Sequence, residues 1–419
     1  MKKILIVFSS IAALIANAGV EIISPAVDAT VPLLSKEQKS FLAMPRLKRR
    51  NWMMDEKRRE EMKAYGWHPQ SVVLRWKAER RADVKVFLDG RCVFSTNHVR
   101  SRVTVDNLEI ARKYDWVVDS HGEMAHGSFR TEDIAPRLLK IENVANARDL
   151  GGRIGMGGRR VRQGMALRTA GLNKNASSDC LNEEELRNAW KNGELEKALS
   201  GTLERGKGES PDVKYWVKCL GDAFSSGAPL KRDYTRKFAI PGTEKPGEEI
   251  LTASSKYFLL DVIGVKSDVD LRSDYECFGM KDSPLGSNVK WFHYPSCPYA
   301  EIHSKKGKDA FRNVFKVFLD KDNYPIAFHC IAGQDRTGTV AFVLNGLLGV
   351  DEEELYRDWE VSAFWNKRMN FCHKHKFDKL VKSFNSLEGE TLHDRIASFV
   401  RSLGFTDADI EKFRGIMLE

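Results

Sequence analysis

The stretch "FHCIAGQDRTGTV" at residues 328–340 constrains the fold of this chain more than any other part of the sequence. An apolar run ends at Phe328, a loop of small and polar residues follows, and a second apolar run begins after Gly338. This order predicts a strand, a tight loop and a helix, which is the local pattern of an α/β domain. Ala332 and Gly333 are small enough to let the loop curl on itself.

The same loop carries a cysteine and an arginine, Cys330 and Arg336. A thiol is a good nucleophile at neutral pH only when its pKa is lowered, and a helix N-terminus supplies the positive end of a dipole together with free N–H groups. Those groups also bind dianions. The loop is therefore predicted to hold a phosphate monoester through the backbone amides of residues 331–336, while the guanidinium grips two phosphate oxygens.

The pattern Cys-x5-Arg-Thr-Gly, preceded by His, resembles the signature of cysteine-dependent protein tyrosine phosphatases. Three further stretches, "NARDLGG" (146–152), "VRQGMALRTAGL" (161–172) and "GVKSDVDLRSDYE" (264–276), resemble the bacterial branch of that family, whose phosphate loop has Asp before Arg. The resemblance runs from about residue 139 to the C-terminus. It is met in the phosphate loop by His329, Cys330, Gly333, Arg336, Thr337 and Gly338.

The resemblance implies a role for each matched position. Cys330 would attack phosphorus and form a cysteinyl-phosphate, Arg336 would stabilise the transition state, and Asp335 would act as general acid and then as base. No metal or cofactor is needed for such a reaction. The predicted substrate-binding residues are Ile331, Ala332, Gly333, Gln334, Thr337 and Gly338, and the predicted supporting residues are His329, Arg148, Asp149 and Arg272. For the last three, a structural role in buried ion pairs is the favoured interpretation.

Two questions about the reaction stay open at this stage. Many tyrosine phosphatases carry the acid on a separate upstream loop, where this sequence offers Glu301 and Asp309. Several members of the branch have Lys where this chain has Gln334. The absence of that positive charge weakens the prediction of a polyanionic substrate such as a phosphoinositide. Phosphotyrosine in a protein or peptide is therefore favoured, with inositol phosphates as the alternative and a non-catalytic binding or adhesion protein as a third possibility.

The chain is predicted to be multidomain. Lys2 and Lys3 precede an apolar run and a small-x-small site at residues 16–18, which predicts a signal peptide over 1–18 and export to the periplasm or outside the cell, with an uncleaved anchor as the alternative. No later run of 18 or more apolar residues suggests a transmembrane segment. Residues 19–69 form a polar, partly helical segment, 70–134 an all-β sandwich, and 135–419 the phosphatase domain with a helical insertion at about 173–250.

The sandwich is predicted from short alternating runs separated by turns at intervals of about ten residues. Trp76, Leu108, Tyr114 and the run "YDWVV" make residues 70–134 resemble a fibronectin type III module. The module could bind a partner or serve as a spacer.

Charge and cysteine content exclude some functions. The formal net charge of +9 comes from basic residues spread among acidic ones, which does not favour a nucleic-acid partner. Seven cysteines show no CxxC pair and no metal-ligand spacing, and an odd number predicts at least one free thiol, expected to be Cys330. Cys277 and Cys297 could form a disulfide with each other or act as redox partners for Cys330. "CHKHK" at 372–376 lacks the partner ligands of a metal site.

Overall fold

The computed structural model describes residues 19–55, 68–78, 84–96, 100–201, 203–204, 213–227, 230, 238–365 and 371–419. The predicted signal peptide at 1–18 lies outside these residues. Within the described ranges, the chain divides into two compact units: residues of 19–35 and 69–134, called the β unit here, and residues of 36–68 and 135–419, called the α/β unit. The segment 19–69, predicted as one N-terminal element, is thus divided between the two units.

The β unit contains two sheets. A three-stranded sheet has the order β1-β3-β6 and a five-stranded sheet the order β2-β8-β7-β4-β5. The alternating runs predicted as strands within residues 70–134 are confirmed as β3 to β8, while β1 and β2 lie in the segment predicted to be polar and partly helical. The strands are β1 (Val20–Ser24), β2 (Ala29–Val31), β3 (Val72–Ala78), β4 (Val84–Leu88), β5 (Arg91–Thr96), β6 (Arg102–Val105), β7 (Lys113–Ser120) and β8 (Glu123–Thr131).

Alternating side chains form the interior of the β unit. Strand β3 buries Trp76, and strand β7 buries Tyr114 and Trp116. Leu108, in the connection from β6 to β7, is also buried. The hydroxyl of Tyr114 accepts a hydrogen bond from the backbone N–H of Glu109 at 2.8 Å. Strand β1 pairs with β3, and strand β2 pairs with β8. Residues 19–35 belong to this unit because each of these short strands adds hydrogen bonds at the edge of a sheet.

The α/β unit is built around a five-stranded sheet with the order β14-β13-β15-β10-β9. Strands β14, β13, β15 and β10 run parallel, and β9 is antiparallel to β10. Both β13 and β15 are buried along their whole length, which is expected of parallel strands covered on two faces. The strands are β9 (Arg148–Asp149), β10 (Ala166–Thr169), β13 (Ser267–Asp270), β14 (Lys290–His293) and β15 (Ile326–His329), and a separate pair is formed by β11 (Leu203–Glu204) and β12 (Phe238–Ala239).

Helices pack against this sheet, among them Arg336–Leu347, called α8 below. Helix α8 is buried at every position, and the last helix begins with a capping box formed by Thr406 and Asp409. No helix in the described ranges combines the length and the hydropathy needed to cross a membrane. The helices are α1 (Lys36–Ala43), α2 (Arg46–Met54), α3 (Glu183–Lys191), α4 (Leu195–Ser200), α5 (Val213–Ser225), α6 (Ala253–Tyr257), α7 (Lys305–Phe318), α8 (Arg336–Leu347), α9 (Glu352–Glu360), α10 (Phe371–Ser383), α11 (Leu392–Ser402) and α12 (Asp407–Met417).

Residues between β10 and α6 leave the sheet as a helical excursion. Its two legs are joined by antiparallel bridges between Asn173 and Glu249 and between Ser177 and Lys245. Helices α3, α4 and α5 pack on each other around Leu186, Trp216 and Leu220. These contacts give the excursion an apolar core of its own.

Candidate active site

The candidate site lies at the carboxyl ends of the parallel strands. Cys330 follows β15 directly, Arg272 follows β13 within two residues, and Gly171 follows β10 within two residues. Because these strands are neighbours in the sheet and run in the same direction, their following residues meet at one edge. The loop of residues 330–335 connects β15 to the N-terminus of α8, as the sequence predicts.

Glycine at position 333 is required by the curl of this loop. Gly333 has φ +64°, and a Cβ atom there would lie 2.3 Å from the carbonyl oxygen of Thr169. Both the left-handed backbone and the close approach exclude a side chain. The loop therefore presses against the end of β10 at a place where only glycine fits.

Three carbonyl groups of the loop are held from outside it. The backbone N–H of Gly171 donates to the Ile331 carbonyl at 3.0 Å, and Asn146 donates through Nδ2 to the Ala332 carbonyl at 2.9 Å. Arg168 donates through Nη2 to the Gly333 carbonyl at 2.7 Å. With these carbonyls engaged, the shape of the loop is set by residues from the first part of the α/β unit.

The thiol of Cys330 lies at the base of the loop, with 2% of the residue exposed. Burial by itself raises the pKa of Cys330, but the positive charge of Arg336 and the hydroxyl and backbone amide of Thr337 lower it, and the net direction is below the ordinary thiol value. All cysteines with described side chains are free thiols. The prediction that Cys330 is free is confirmed, and Cys277 and Cys297 form no disulfide.

The guanidinium of Arg336 is oriented by a carboxylate that the sequence analysis did not single out. Nη1 donates to Glu276 Oε2 at 2.6 Å, and Nη2 donates to Oε1 at 3.3 Å. The backbone N–H of Ser273 donates to the same carboxylate at 2.8 Å. The Nε of Arg336 is buried and has no acceptor among the described residues, so this nitrogen is available to a substrate oxygen. Glu276 is the last residue of the stretch "GVKSDVDLRSDYE". Its place in that stretch was the only feature of the sequence that could have marked it as part of the site.

Asp335 is half-buried at the N-cap position of α8. Its Oδ1 accepts a hydrogen bond from the hydroxyl of Tyr299 at 2.5 Å. The two other carboxylates considered for the acid lie in different settings: Glu301 is exposed, and Asp309 pairs with Arg312 on α7 at 2.5 Å. Cys330, Asp335 and Arg336 are thus brought together on one loop.

His329 lies behind the loop and is fully buried. Its Nε2 is 3.1 Å from Asp268, and its Nδ1 is 3.9 Å from Asp270 and 3.3 Å from the Cys330 carbonyl. Burial alone would lower the pKa of His329, but the charges of Asp270 and Asp268 outweigh it and raise the pKa. The imidazole joins β15 to β13 beneath Cys330, where it can support the loop.

The three remaining supporting residues lie in buried ion pairs. Arg272 pairs with Asp270 at 2.6 Å, and Arg137 pairs with Asp149 at 2.9 Å. Arg148 pairs with Asp358 at 3.1 Å. None of these contacts involves the thiol or the guanidinium of the phosphate loop.

Asp358, on α9, is a second residue that sequence reasoning missed. Its carboxylate contacts Arg148, Arg153 at 2.8 Å and Arg168, and all three arginines are fully buried. Arg168 in turn holds the Gly333 carbonyl. Nothing in the local sequence around Asp358 marks it, because its partners lie about 190 to 210 residues away in the chain.

The other predicted loop residues occupy both sides of the loop. Ile331 and Ala332 are exposed, whereas Gln334 and Thr337 are buried and Gly338 packs against Trp359 and Arg168. No group of three or more potential metal ligands occurs in the described ranges. In the "CHKHK" stretch, the side chains of Cys372 and His373 lie outside what the structure describes.

Part of the chain matches a known protein family. Residues 248–419 match the family described as "Tyrosine phosphatase family", and this range contains Cys330, Asp335 and Arg336. A putative tyrosine-protein phosphatase from Cupriavidus necator is 24% identical over 234 residues, covering 55% of this chain and 65% of that protein. A tyrosine-protein phosphatase from Nostoc commune is 36% identical over 55 residues, which is 13% of this chain and 19% of that protein. The chain thus matches less than two thirds of the length of either relative.

A solved structure also shows a weak resemblance. The core catalytic domain of a PP-IP phosphatase from S. cerevisiae, in complex with citrate, has 14% identity and a TM-score of 0.24, covering 31% of this chain and 76% of that one. A TM-score this low supports no conclusion about the fold. The family match alone shows that residues 248–419, which contain the loop of residues 330–335, resemble a tyrosine phosphatase family domain.

Proposed function

We propose that the protein is a phosphomonoester hydrolase of the tyrosine phosphatase type, acting through a cysteinyl-phosphate. The observation that carries this proposal is the placement of a buried Cys330 with a lowered pKa at the N-terminus of α8, on the same loop as Arg336. A thiolate with adjacent cationic and N–H groups can both attack phosphorus and neutralise a phosphate dianion. The family match over residues 248–419 supports the same activity.

The proposed reaction has two displacements at phosphorus. In the first, the Cys330 thiolate forms an S–P bond, the P–O bond to the leaving group breaks, and the leaving oxygen takes a proton from the Asp335 carboxyl. In the second, Asp335 as carboxylate takes a proton from water, the water oxygen bonds to phosphorus, and the S–P bond breaks. Inorganic phosphate leaves and the thiolate is restored. Arg336 binds the equatorial oxygens in both transition states.

Phosphotyrosine is the proposed substrate class. The thiol lies beneath the surface at 2% exposure, while Ile331, beside it in the loop, is 40% exposed and offers an apolar contact at the rim. An aryl phosphate combines the reach and the apolar surface that such a rim suits. Gln334 is neutral and fully buried, so it supplies no charge for a polyphosphorylated ring. Inositol phosphates remain the alternative substrate.

The test is phosphate release by the full-length protein under reducing conditions. A phosphotyrosine peptide, a phosphoserine peptide and an inositol hexakisphosphate are compared, with Cys330→Ser as the matched control that replaces only sulfur by oxygen. We expect release from phosphotyrosine and a loss of at least about 10³-fold in Cys330→Ser, because the serine hydroxyl is not ionised at neutral pH.

Each result has a distinct meaning. Faster release from the inositol phosphate would replace the substrate class but keep the mechanism. Release from phosphotyrosine that persists in Cys330→Ser would rule out the cysteine mechanism. No release from any substrate, by folded protein whose Cys330 alkylates, would favour a non-catalytic binding function.

Two further features of the whole chain belong to this proposal. We propose that residues 1–18 are a signal peptide directing export, supported by Lys2, Lys3 and the apolar run that follows. We propose also that the β unit is a fibronectin type III-like module, supported by its two sheets and by buried Trp76 and Tyr114. N-terminal sequencing of the protein recovered outside the cytoplasm would test export, and an N-terminus at Met1 would count against cleavage.

A further inference from the structure

Tyr299 contacts Asp335 in two ways. Its hydroxyl donates to Asp335 Oδ1 at 2.5 Å. Its backbone N–H donates at 2.7 Å to the Thr339 hydroxyl, which donates at 2.9 Å to the Asp335 carbonyl. Side chain and backbone of one tyrosine therefore hold both the carboxyl group and the main chain of the same aspartate.

The backbone of Tyr299 adopts a conformation that a tyrosine rarely takes. Its φ is +56°, in the left-handed region that disfavours residues with a large side chain. Such a conformation persists only when surrounding contacts compensate for it, and it is found often at functional sites. Here the compensating contacts are those to Thr339 and Asp335.

The phenol of Tyr299 is buried in a fixed position. The residue is 5% exposed, and its ring meets that of Trp359 edge to face at 6.3 Å between centroids. Burial, followed by the negative charge of Asp335, raises the pKa of Tyr299 above its usual range. The phenol is therefore protonated at neutral pH, and it can only donate to the carboxyl group, not accept a proton from the reaction.

We infer that Tyr299 is the positioning residue of the general acid: it fixes Asp335 in the orientation needed to pass a proton to the leaving oxygen. This inference rests on the proposed function. Tyr299 keeps its own proton throughout, so the proton that reaches the leaving group is the one carried by Asp335. The segment upstream of α7, where a separate acid could have been supplied, thus supplies instead the residue that orients the acid of the phosphate loop.

The alternative acids have surroundings that do not serve this purpose. Glu301 lies two residues beyond Tyr299 and is exposed to solvent. Asp309 forms an ion pair with Arg312. Neither contacts the loop of residues 330–335 in any described hydrogen bond. Asp335 is the carboxylate that has a protonated, buried donor fixed against it.

The experiment measures kcat/KM for two aryl phosphates whose leaving groups differ in their need for a proton. Phenyl phosphate has a poor leaving group and requires the acid, whereas 4-nitrophenyl phosphate has a good one and requires it less. Wild type, Tyr299→Phe, Asp335→Asn and the double variant are compared in the full-length protein. This set forms a double-mutant cycle, in which a residue that acts through Asp335 adds nothing once Asp335 is replaced.

We expect Tyr299→Phe to lower kcat/KM about tenfold for phenyl phosphate and less than about threefold for 4-nitrophenyl phosphate. Asp335→Asn should show the same preference with a larger loss, about 10²-fold. In the Asp335→Asn background, Tyr299→Phe should have no further effect. If Tyr299 had a merely structural role, Tyr299→Phe would lower kcat/KM equally for both substrates and would lower it further in the Asp335→Asn background. Either result would overturn the inference.

The matched control is Tyr324→Phe. Tyr324 is 3% exposed, and its hydroxyl donates to the Phe318 carbonyl at 2.7 Å near the opposite end of β15. Its removal costs the same kind of buried hydrogen bond without touching Asp335, so the ratio of the two substrates should stay at the wild-type value. Alkylation of Cys330 by iodoacetate checks that the loop is intact in each variant.

Failure of the inference and failure of the proposed function are distinguishable. If wild type shows Cys330-dependent release but Tyr299→Phe keeps the wild-type ratio, the inference is wrong and the function stands. If wild type and Cys330→Ser are equally inactive on both aryl phosphates, the proposed function falls and the inference with it.

Discussion

At the residue scale, the chemistry of the candidate site depends on one thiol, one guanidinium and the groups that hold them. The lowered pKa of Cys330 comes from Arg336 and Thr337, which lie six and seven positions along the chain and were predicted from the loop itself. The orientation of Arg336 comes from Glu276, 60 residues away. A local pattern can specify the first relationship, but the second depends on which strand lies next to which.

Glu276→Gln tests the orientation of Arg336. The amide keeps the shape of the side chain but replaces an acceptor oxygen by an NH₂ group, so one of the two contacts to the guanidinium is lost. Because a transition-state group acts only when it is already oriented, we expect kcat/KM to fall about tenfold. The measurement is steady-state hydrolysis of 4-nitrophenyl phosphate.

Glu301→Gln is the matched control, since Glu301 is exposed, and it should retain wild-type kcat/KM. An increase of kcat/KM in Glu276→Gln would contradict the prediction. It would mean that the carboxylate competes with the substrate for Arg336 more than it orients it.

At the scale of secondary-structure elements, α9 holds the strand ends around the phosphate loop through one aspartate. Burial would raise the pKa of Asp358, but the charges of Arg168, Arg148 and Arg153 hold it well below its usual range. A carboxylate with a lowered native pKa adds stability above its unfolded-state pKa of about 3.9, and that stability is lost as the pH falls through the native value. At neutral pH the contribution is therefore fully present.

Asp358→Asn should destabilise the protein by about 3–5 kcal/mol, because it leaves three buried guanidinium groups without their shared counter-charge. Activity should also fall, since Arg168 holds the Gly333 carbonyl. Urea denaturation at pH 7 measures the stability. The exposed Asp261 provides the control, as Asp261→Asn should change the stability by less than about 0.5 kcal/mol. Equal stability of the two variants would show that the contacts between Asp358 and the three arginines contribute little to the free energy of unfolding.

At the scale of the whole molecule, two helices from the N-terminal part of the chain belong to the α/β unit. Arg49 on α2 is fully buried and pairs with Glu360 and with Glu353, each at 2.5 Å. Phe41 and Trp52 pack their rings against Phe364. The predicted start of the phosphatase domain at 135 therefore omits part of the unit in which its sheet lies.

Arg49→Ala should cost about 3–5 kcal/mol of unfolding free energy, because the buried Glu360 would lose its 2.5 Å ion pair and keep only Arg50, whose Nε lies 3.5 Å away. Replacing both residues, as in Arg49→Met with Glu360→Met, should cost less than the single change, since no uncompensated charge remains. Urea denaturation of the full-length protein checks both. The exposed pair of Arg401 and Asp407 is the control, and Arg401→Ala should cost less than about 1 kcal/mol. A double variant less stable than Arg49→Ala would contradict this account.

The sequence by itself determined the loop of residues 330–335, its flanking strand and helix, the six strands from β3 to β8, and the groups that the proposed reaction would use. Each of these depends on residues that are close in the chain, where apolar period, glycine geometry and helix-end electrostatics act locally. Only the tertiary structure decided that Tyr299 holds Asp335, that Glu276 holds Arg336, that Asp358 holds three arginines, and that residues 36–54 join the α/β unit. These are contacts between residues that are 36 to 311 positions apart, and side chains that far apart become neighbours only through the packing of strands and helices.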